Sequence, residues 1–379
     1  MKIFHHARVF LPGKGFAEGG FQVEDGRFSE VFTGSPPSAG TEAVDLQGAH
    51  VIPGLVDIHT HGAMGADASD GDAEGLKRMA AHLAACGVTS FAPTTMTLPY
   101  ETLAAAFQTA AALSENRPEN CARVVGIHME GPFFSEKKKG AQNGAYLKLP
   151  DFGAFRALYE GCGGLVRIVD LAPELPGAAE FTEKAKELCT VSVAHTDADY
   201  EQAKTVFEAG ASHLTHLYNA MPPIHHRKPG VIGAASERED VRAELICDGF
   251  HVHPSSVRMA FRLFPGRICL ISDSLRCCGM PEGEYELGGQ QVFLSGGVAR
   301  LLDGTIAGAA SNLYTDLRNA VAFGIPREEA IEAATIRPAR EIGRADEIGS
   351  IEAGKFADFV VCNEDLSLSA VYIAGKKIP

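Results

Sequence analysis

Val56-Asp57-Ile58-His59-Thr60-His61-Gly62 reads as a strand with a His-x-His pair at its C-terminal end. Side chains two residues apart on a strand face the same way, so His59 and His61 stand side by side where one metal ion can take both. Alone, such a pair is a weak signal. Its weight comes from what recurs downstream, where later strand-like runs also end on potential ligands: Glu130, His195, His216 and Asp273.

Outward from that stretch the chain alternates short apolar runs with segments of helical periodicity. Eight runs read as strands: Val56–His61, Thr89–Thr94, Arg123–Glu130, Val166–Ala172, Thr190–His195, Ala211–His216, Ala243–Asp248 and Arg267–Asp273. Helices are expected between most of them, with Gly87 and Gly210 where helix C-terminal glycines belong. This order predicts an α/β fold, a (β/α)8 TIM-type barrel. The active site of such a barrel lies at the C-terminal ends of its strands, and every candidate ligand falls there.

The flanks read differently. Residues 1–52 show short strands and turns, including the hairpin signal Asp25-Gly26. Residues 346–379 turn strand-like again, so the two ends are expected to form one smaller, discontinuous β-sandwich domain around a barrel of residues 53–345. A β insertion is expected near residues 283–302, where glycine pairs alternate with apolar runs.

Composition bounds the function. Of 379 residues, 45% are hydrophobic and 22% charged, ordinary for a globular protein. The net charge of −14 argues against nucleic acid or an anionic membrane as partner. No apolar run approaches the roughly 20 residues of a membrane span. The first residues lack a signal-peptide pattern, so a cytoplasmic location is expected. The nine cysteines are odd in number and lack a Cys-x-x-Cys, which suits buried thiols in a reducing compartment; Cys277 and Cys278 receive no role.

The chemistry lies in the ligand set. Histidines and carboxylates with no required thiolate suit zinc or another first-row divalent ion. Such an ion lowers the pKa of a bound water to about 7 and polarises a carbonyl. Asp273, at the end of the eighth strand, is then placed to move a proton from water to a leaving amine. His225-His226-Arg227-Lys228 adds a local basic patch to an acidic chain, suited to phosphate.

Longer motifs carry a family resemblance. They are Pro53-Gly54-Leu55-Val56-Asp57-Ile58-His59-Thr60-His61-Gly62, His128-Met129-Glu130-Gly131-Pro132-Phe133, Val193-Ala194-His195-Thr196, Thr215-His216-Leu217-Tyr218-Asn219-Ala220-Met221 and Asp248-Gly249-Phe250-His251-Val252-His253-Pro254. With these the chain resembles the amidohydrolase superfamily and, within it, the N-acetylglucosamine-6-phosphate deacetylases, over nearly its full length. The resemblance implies hydrolysis of a phosphorylated N-acetyl amino sugar. It implies one or two divalent metals per subunit (zinc, iron, cobalt or nickel) and a homodimer. Glu130, His195 and His216 resemble the ligands of the principal ion. His59 and His61, with Glu130 bridging, resemble a second site present in some members. Asp273 resembles the catalytic acid/base. Asn219, Ala220 and Arg227 resemble phosphate contacts, Arg227 reaching across a dimer interface. His251 resembles a sugar or phosphate contact, and Ala141 with the turn Ile306-Ala307-Gly308 resembles the surroundings of the sugar and acetamide.

The chain departs from the family pattern at Gln142, where some members carry a histidine, and at Ser274–Cys278 and Ala309–Leu313. The last two stretches flank the acetamide side and bear on acyl and epimer preference, whereas the histidine replaced by Gln142 is implied to polarise the acetyl carbonyl, a task that a second metal at His59 and His61 would take over. Two rival functions stay open on sequence: another amidase or deaminase of the same superfamily, and a non-catalytic sugar-phosphate binding protein.

Overall fold

The computed structural model describes residues 1–35 and 42–379. Eight parallel strands run in chain order around a barrel: Leu55–Thr60, Val88–Thr95, Ile127–Phe133, Val166–Leu171, Thr190–Val193, His213–Leu214, Arg242–Ile246 and Ile268–Ile271. The last meets the first through the Asp273 N–H, which donates to the His59 carbonyl at 2.9 Å. The Ser272 hydroxyl donates to the buried Asp57 carboxylate at 2.6 Å across the same seam.

Alternation along the strands sorts the two faces. Val56, Ile58, Ile168, Ile246 and Ile271 fill the barrel interior. Leu55, Val88, Val169, Val191 and Leu245 face outward onto the helices in the main core. Polar caps start several helices. Asp72 accepts from the Glu74 N–H ahead of Ala73–Ala85, and Asp199 with Gln202 forms a capping box on Tyr200–Ala209. Gly210, at φ 122°, ends the latter helix.

Both chain ends contribute to one eight-stranded sheet, in which Phe359–Cys362 pairs antiparallel with His50–Pro53. The Asp25-Gly26 turn joins Gly15–Glu24 to Arg27–Thr33 as expected, with both turn residues at positive φ (50° and 76°). The two layers expected of a sandwich come from this single sheet curling over. Arg27–Thr33 and Phe359–Cys362 are four strands apart in the sheet order. Even so, the Phe28 and Phe359 rings approach to 6.2 Å, and Phe4 and Phe21 pack between the layers.

Several expectations need correction. The strands ending at His195, His216, Asp248 and Asp273 stop two residues early, at Val193, Leu214, Ile246 and Ile271. Three of those residues leave the extended region altogether: φ is 43° at His195, 31° at His216 and 50° at Asp273. The expected strand Arg123–Glu130 is broken into Arg123–Val124 and Ile127–Phe133. The break falls at Gly126, where a side chain would collide with Arg167. The insertion has four strands, and the fourth, Ile306–Ala309, contains the residues expected as a turn. The short helix Gly230–Ser236 was hidden behind a Pro-Gly breaker signal.

Candidate active site

The site is assembled where strands give way to loops. His59 lies within the first strand and Glu130 within the third, while His195, His216 and Asp273 sit just past theirs. Left-handed φ at a non-glycine residue costs about 1–3 kcal/mol and persists only where surroundings enforce it. Here backbone hydrogen bonds do so. The His195 carbonyl accepts from Ser135 N–H at 3.0 Å, the His216 carbonyl from Asn219 N–H at 2.9 Å, and the Asp273 carbonyl from Ala309 N–H at 2.7 Å. The turns swing these three side chains inward over the barrel mouth.

Glu130 is the hub. Its Oε1 lies 3.0 Å from His195 Nε2 and 3.1 Å from His216 Nε2, and these two nitrogens are 3.1 Å apart. This triangle is close to the ~3.4 Å edge of a tetrahedral site with bonds of ~2.1 Å. The other oxygen, Oε2, lies 3.2 Å from His61 Nε2. Asp273 Oδ1 is 3.3 Å from His61 Nε2 and 3.5 Å from His59 Nε2. The His59 and His61 rings stand 5.3 Å apart, as their spacing on one strand required. All five side chains, and that of Asp273 itself, are buried.

The donor chemistry tests whether these residues fit a cation. Carbonyl oxygens only accept, so His61 Nδ1 must donate to Thr94 O (3.1 Å) and His195 Nδ1 to Lys138 O (2.9 Å). A neutral ring protonated at Nδ1 presents a lone pair at Nε2. Those lone pairs converge on the carboxylate oxygens of Glu130 and Asp273, and His59 Nε2 is buried with no hydrogen-bond partner among the described residues. Lone pairs facing lone pairs call for positive charge between them, and a divalent metal ion fits.

The electrostatics of the protein alone point the same way. Burial by itself would raise the pKa of Glu130, but His195, His216 and His61 hold it well below the ordinary range. Burial would lower His61 and His216, yet the facing carboxylates raise His61 well above its usual value and His216 to about 9. Asp273 is lowered, because His59 and His61 outweigh the effect of burial. The cluster therefore takes up protons wherever it lacks another cation.

Above this floor opens a cavity of about 330 Å³. Ala141, Asn219, Ala220, His251, Ile306 and Gly308 line it with His61, Glu130, His195, His216 and Asp273. His251 is fixed by Asp248, whose Oδ2 lies 2.7 Å from Nδ1. Two expected contacts are not brought to this cavity. Ala307 points away, packed beneath the insertion with Met96, Leu275 and Leu294. Arg227 is exposed, lines a separate cleft beside Tyr200 and Pro222, and lies 2.6 Å from the His226 ring nitrogen.

Other lining residues were not expected as contacts, although Leu275 lies in the Ser274–Cys278 stretch already set beside the acetamide. Lys137 and Lys138, Met96, Leu275, Leu287 and Thr305 complete the wall. The run Lys137-Lys138-Lys139 was a visible basic signal but carried no marker of direction. Gln142 is buried and spans two groups: its Oε1 accepts from Thr97 N–H at 2.7 Å and its Nε2 donates to Glu130 Oε2 at 2.6 Å. The amide thus holds the shared carboxylate in place.

The model of the amidohydrolase family matches residues 50–378. The chain is 37% identical over 360 residues to N-acetylglucosamine-6-phosphate deacetylase of Bacillus subtilis (strain 168), covering 93% of this chain and 91% of that protein. It is 35% identical over 328 residues to N-acetylgalactosamine-6-phosphate deacetylase of Escherichia coli O157:H7, covering 86% and 87% respectively. Among solved structures it is similar to a mutant N-acetyl-D-glucosamine-6-phosphate deacetylase from Mycobacterium smegmatis in complex with N-acetyl-D-glucosamine 6-phosphate. That match has a TM-score of 0.93 and 32% identity, over 100% of this chain and 99% of the other.

Proposed function

Because the chain belongs to the amidohydrolase family, we propose that it hydrolyses the acetamide of N-acetyl-D-glucosamine 6-phosphate, yielding D-glucosamine 6-phosphate and acetate. The observation that carries this is the Asp273 carboxylate beside the His59 and His61 ring nitrogens, with Glu130, His195 and His216 converging next to them, on the floor of a cavity sized for one small molecule. Glu130, His195 and His216 would hold the principal divalent ion. His59 and His61, with Glu130 shared, would hold a second. Zinc, iron, cobalt and nickel all suit such ligands. When bound, the ion supplies Lewis acidity to the attacking water and to the acetamide carbonyl.

The chain's own residues do the rest. Asp273 takes a proton from the water as its oxygen bonds to the carbonyl carbon. It then gives that proton to the amine nitrogen as the C–N bond breaks, and the second water proton passes from the new carboxylic acid to the amine, so acetate and the ammonium form of the amino sugar leave with charge balanced. Asp273 suits this because its carboxylate is held ionised within reach of the ligand cluster. Gln142 keeps Glu130 from rotating. Met96 and Leu275 offer an apolar wall suited to the acetyl methyl, with Ala141, Ile306 and Gly308 around the sugar.

Phosphate recognition falls to Asn219, the Ala220 backbone and His251, with Lys137 and Lys138 supplying positive charge along the same cavity. Arg227 lies outside its own chain's cavity, which supports a homodimer in which each subunit lends this guanidinium to the other. A charge-assisted hydrogen bond contributes about 1.5–3 kcal/mol. Arg227→Ala should therefore raise KM for the phosphorylated sugar roughly 10- to 150-fold and leave kcat for bound substrate near wild type. Steady-state kinetics decide this, and an unchanged KM would remove Arg227 from phosphate binding. The 4-epimer, N-acetylgalactosamine 6-phosphate, belongs in the same assay, since one relative is named for it.

A further inference from the structure

We infer that Glu244 is a positioning residue for His59 and thereby sets occupancy of the second ion's site. The inference rests on the two-ion reading proposed above.

The four histidines of the cluster differ in what stands behind them. Nδ1 of His61 and of His195 each donates to a backbone carbonyl. Nδ1 of His216 is buried with no hydrogen-bond partner among the described residues. His59 alone has a carboxylate behind it: its Nδ1 lies 2.9 Å from Glu244 Oε2. A carboxylate behind an imidazole fixes the proton on Nδ1, leaves the Nε2 lone pair for a metal, and makes that nitrogen a stronger donor.

Glu244 occupies an unusual place for an acid. It is wholly buried on the seventh strand, Arg242–Ile246. Alternation puts Glu244 and Ile246 on the interior face, where barrels usually carry branched apolar side chains. A buried carboxylate is tolerated only with compensating partners, and here they are stacked down the barrel. Glu244 Oε1 is 3.1 Å from His213 Nε2, and His213 Nδ1 is 3.2 Å from Glu341 Oε1. Arg242 Nη1 then donates to Glu341 Oε2 at 3.0 Å. His128 Nδ1 stands 3.7 Å from Glu244 on the other side. Acid and base alternate from His59 down to Arg242, and the arrangement has no use in packing that an apolar residue would not serve better. Glu244 Oε2 also accepts the His216 N–H at 3.2 Å, which ties the first and sixth strands to one carboxylate.

The test is metal binding, measured by elemental analysis after equilibrium dialysis against buffered free zinc. Wild type, Glu244→Gln, His59→Ala and the double variant are compared. Wild type should bind two ions. Glu244→Gln should bind the first with unchanged affinity and the second about 10- to 100-fold more weakly. His59→Ala should lose the second ion, and adding Glu244→Gln to it should change nothing more. A merely structural role would weaken both ions together.

Tight binding of both ions by Glu244→Gln would overturn the inference while leaving the two-ion site intact. A single ion in both wild type and His59→Ala would instead remove the second site, and the inference with it. If Glu244→Gln does not fold, the cobalt(II)-loaded wild type serves. Its proton NMR spectrum should hold a paramagnetically shifted, slowly exchanging ring N–H that vanishes in His59→Ala, and its absence would contradict the Glu244 hydrogen bond.

Discussion

Asp273→Asn should lower kcat by roughly 10²–10⁴-fold, the usual contribution of a positioned acid/base, with metal content and KM close to wild type. The substitution preserves shape. Asparagine is also among the few residues that tolerate the left-handed backbone found at φ 50° here. The Asp273 backbone is pinned on both sides, by His59 and by Ala309, so the amide should sit where the carboxylate sat. What it cannot do is accept a proton from water and return it to the amine. Turnover within a few-fold of wild type, with product confirmed, would take the proton-transfer role from Asp273.

Glu130→Gln should be more damaging still, because it strikes binding and chemistry together. Both oxygens of Glu130 are committed: Oε1 to His195 and His216, Oε2 to His61 and Gln142. An amide at this position removes the one negative charge that all three imidazoles share. It also sets two NH2 groups, those of the new side chain and of Gln142, against each other or against an imidazole. Loss of residues that stand behind metal ligands costs about 10- to 100-fold in affinity, so loss of a shared ligand should exceed that. The purified variant should carry well under one ion per chain and show no measurable turnover at ordinary metal concentrations. Elemental analysis beside kinetics checks it, and a full metal complement would show that the histidines suffice.

The parts of this molecule that repeat locally were legible from sequence. Alternating apolar runs and helices marked the barrel. The His-x-His spacing needed only the two-residue period of a strand to place two imidazoles together. Asp25-Gly26 marked its hairpin because that turn demands positive φ. What escaped depended on partners far along the chain. His195, His216 and Asp273 read as strand ends, yet the left-handed turns at His195 and Asp273 are held by backbone contacts to distant segments, Ser135 and Ala309, while that at His216 closes on nearby Asn219. Ala243–Asp248 read as an apolar strand, and nothing local marks its glutamate as the partner of a histidine 185 positions earlier. Gln142 read as a departure from a pattern, whereas its two hydrogen bonds make it the brace of Glu130. Ile306-Ala307-Gly308 was expected as a turn from the resemblance, whereas these residues lie in a strand, Ile306–Ala309, whose partner Val298–Leu301 supplies the register. Arg227 was legible as a phosphate-seeking side chain, and its place outside its own chain's cavity agrees with the reach across a dimer interface that the resemblance implied.

The central claim is that this cluster cleaves the acetamide of a phosphorylated amino sugar. Acetate release tests it most directly, measured with N-acetylglucosamine 6-phosphate and with the unphosphorylated sugar. The enzyme would be stripped of metal and then reloaded separately with zinc, iron(II) or cobalt. The account predicts turnover of the phosphorylated sugar with at least one of these ions, none in the stripped enzyme, and little or none with the free sugar. Equal rates on both sugars would contradict the phosphate subsite, and no acetate from either with any ion would contradict the assigned reaction.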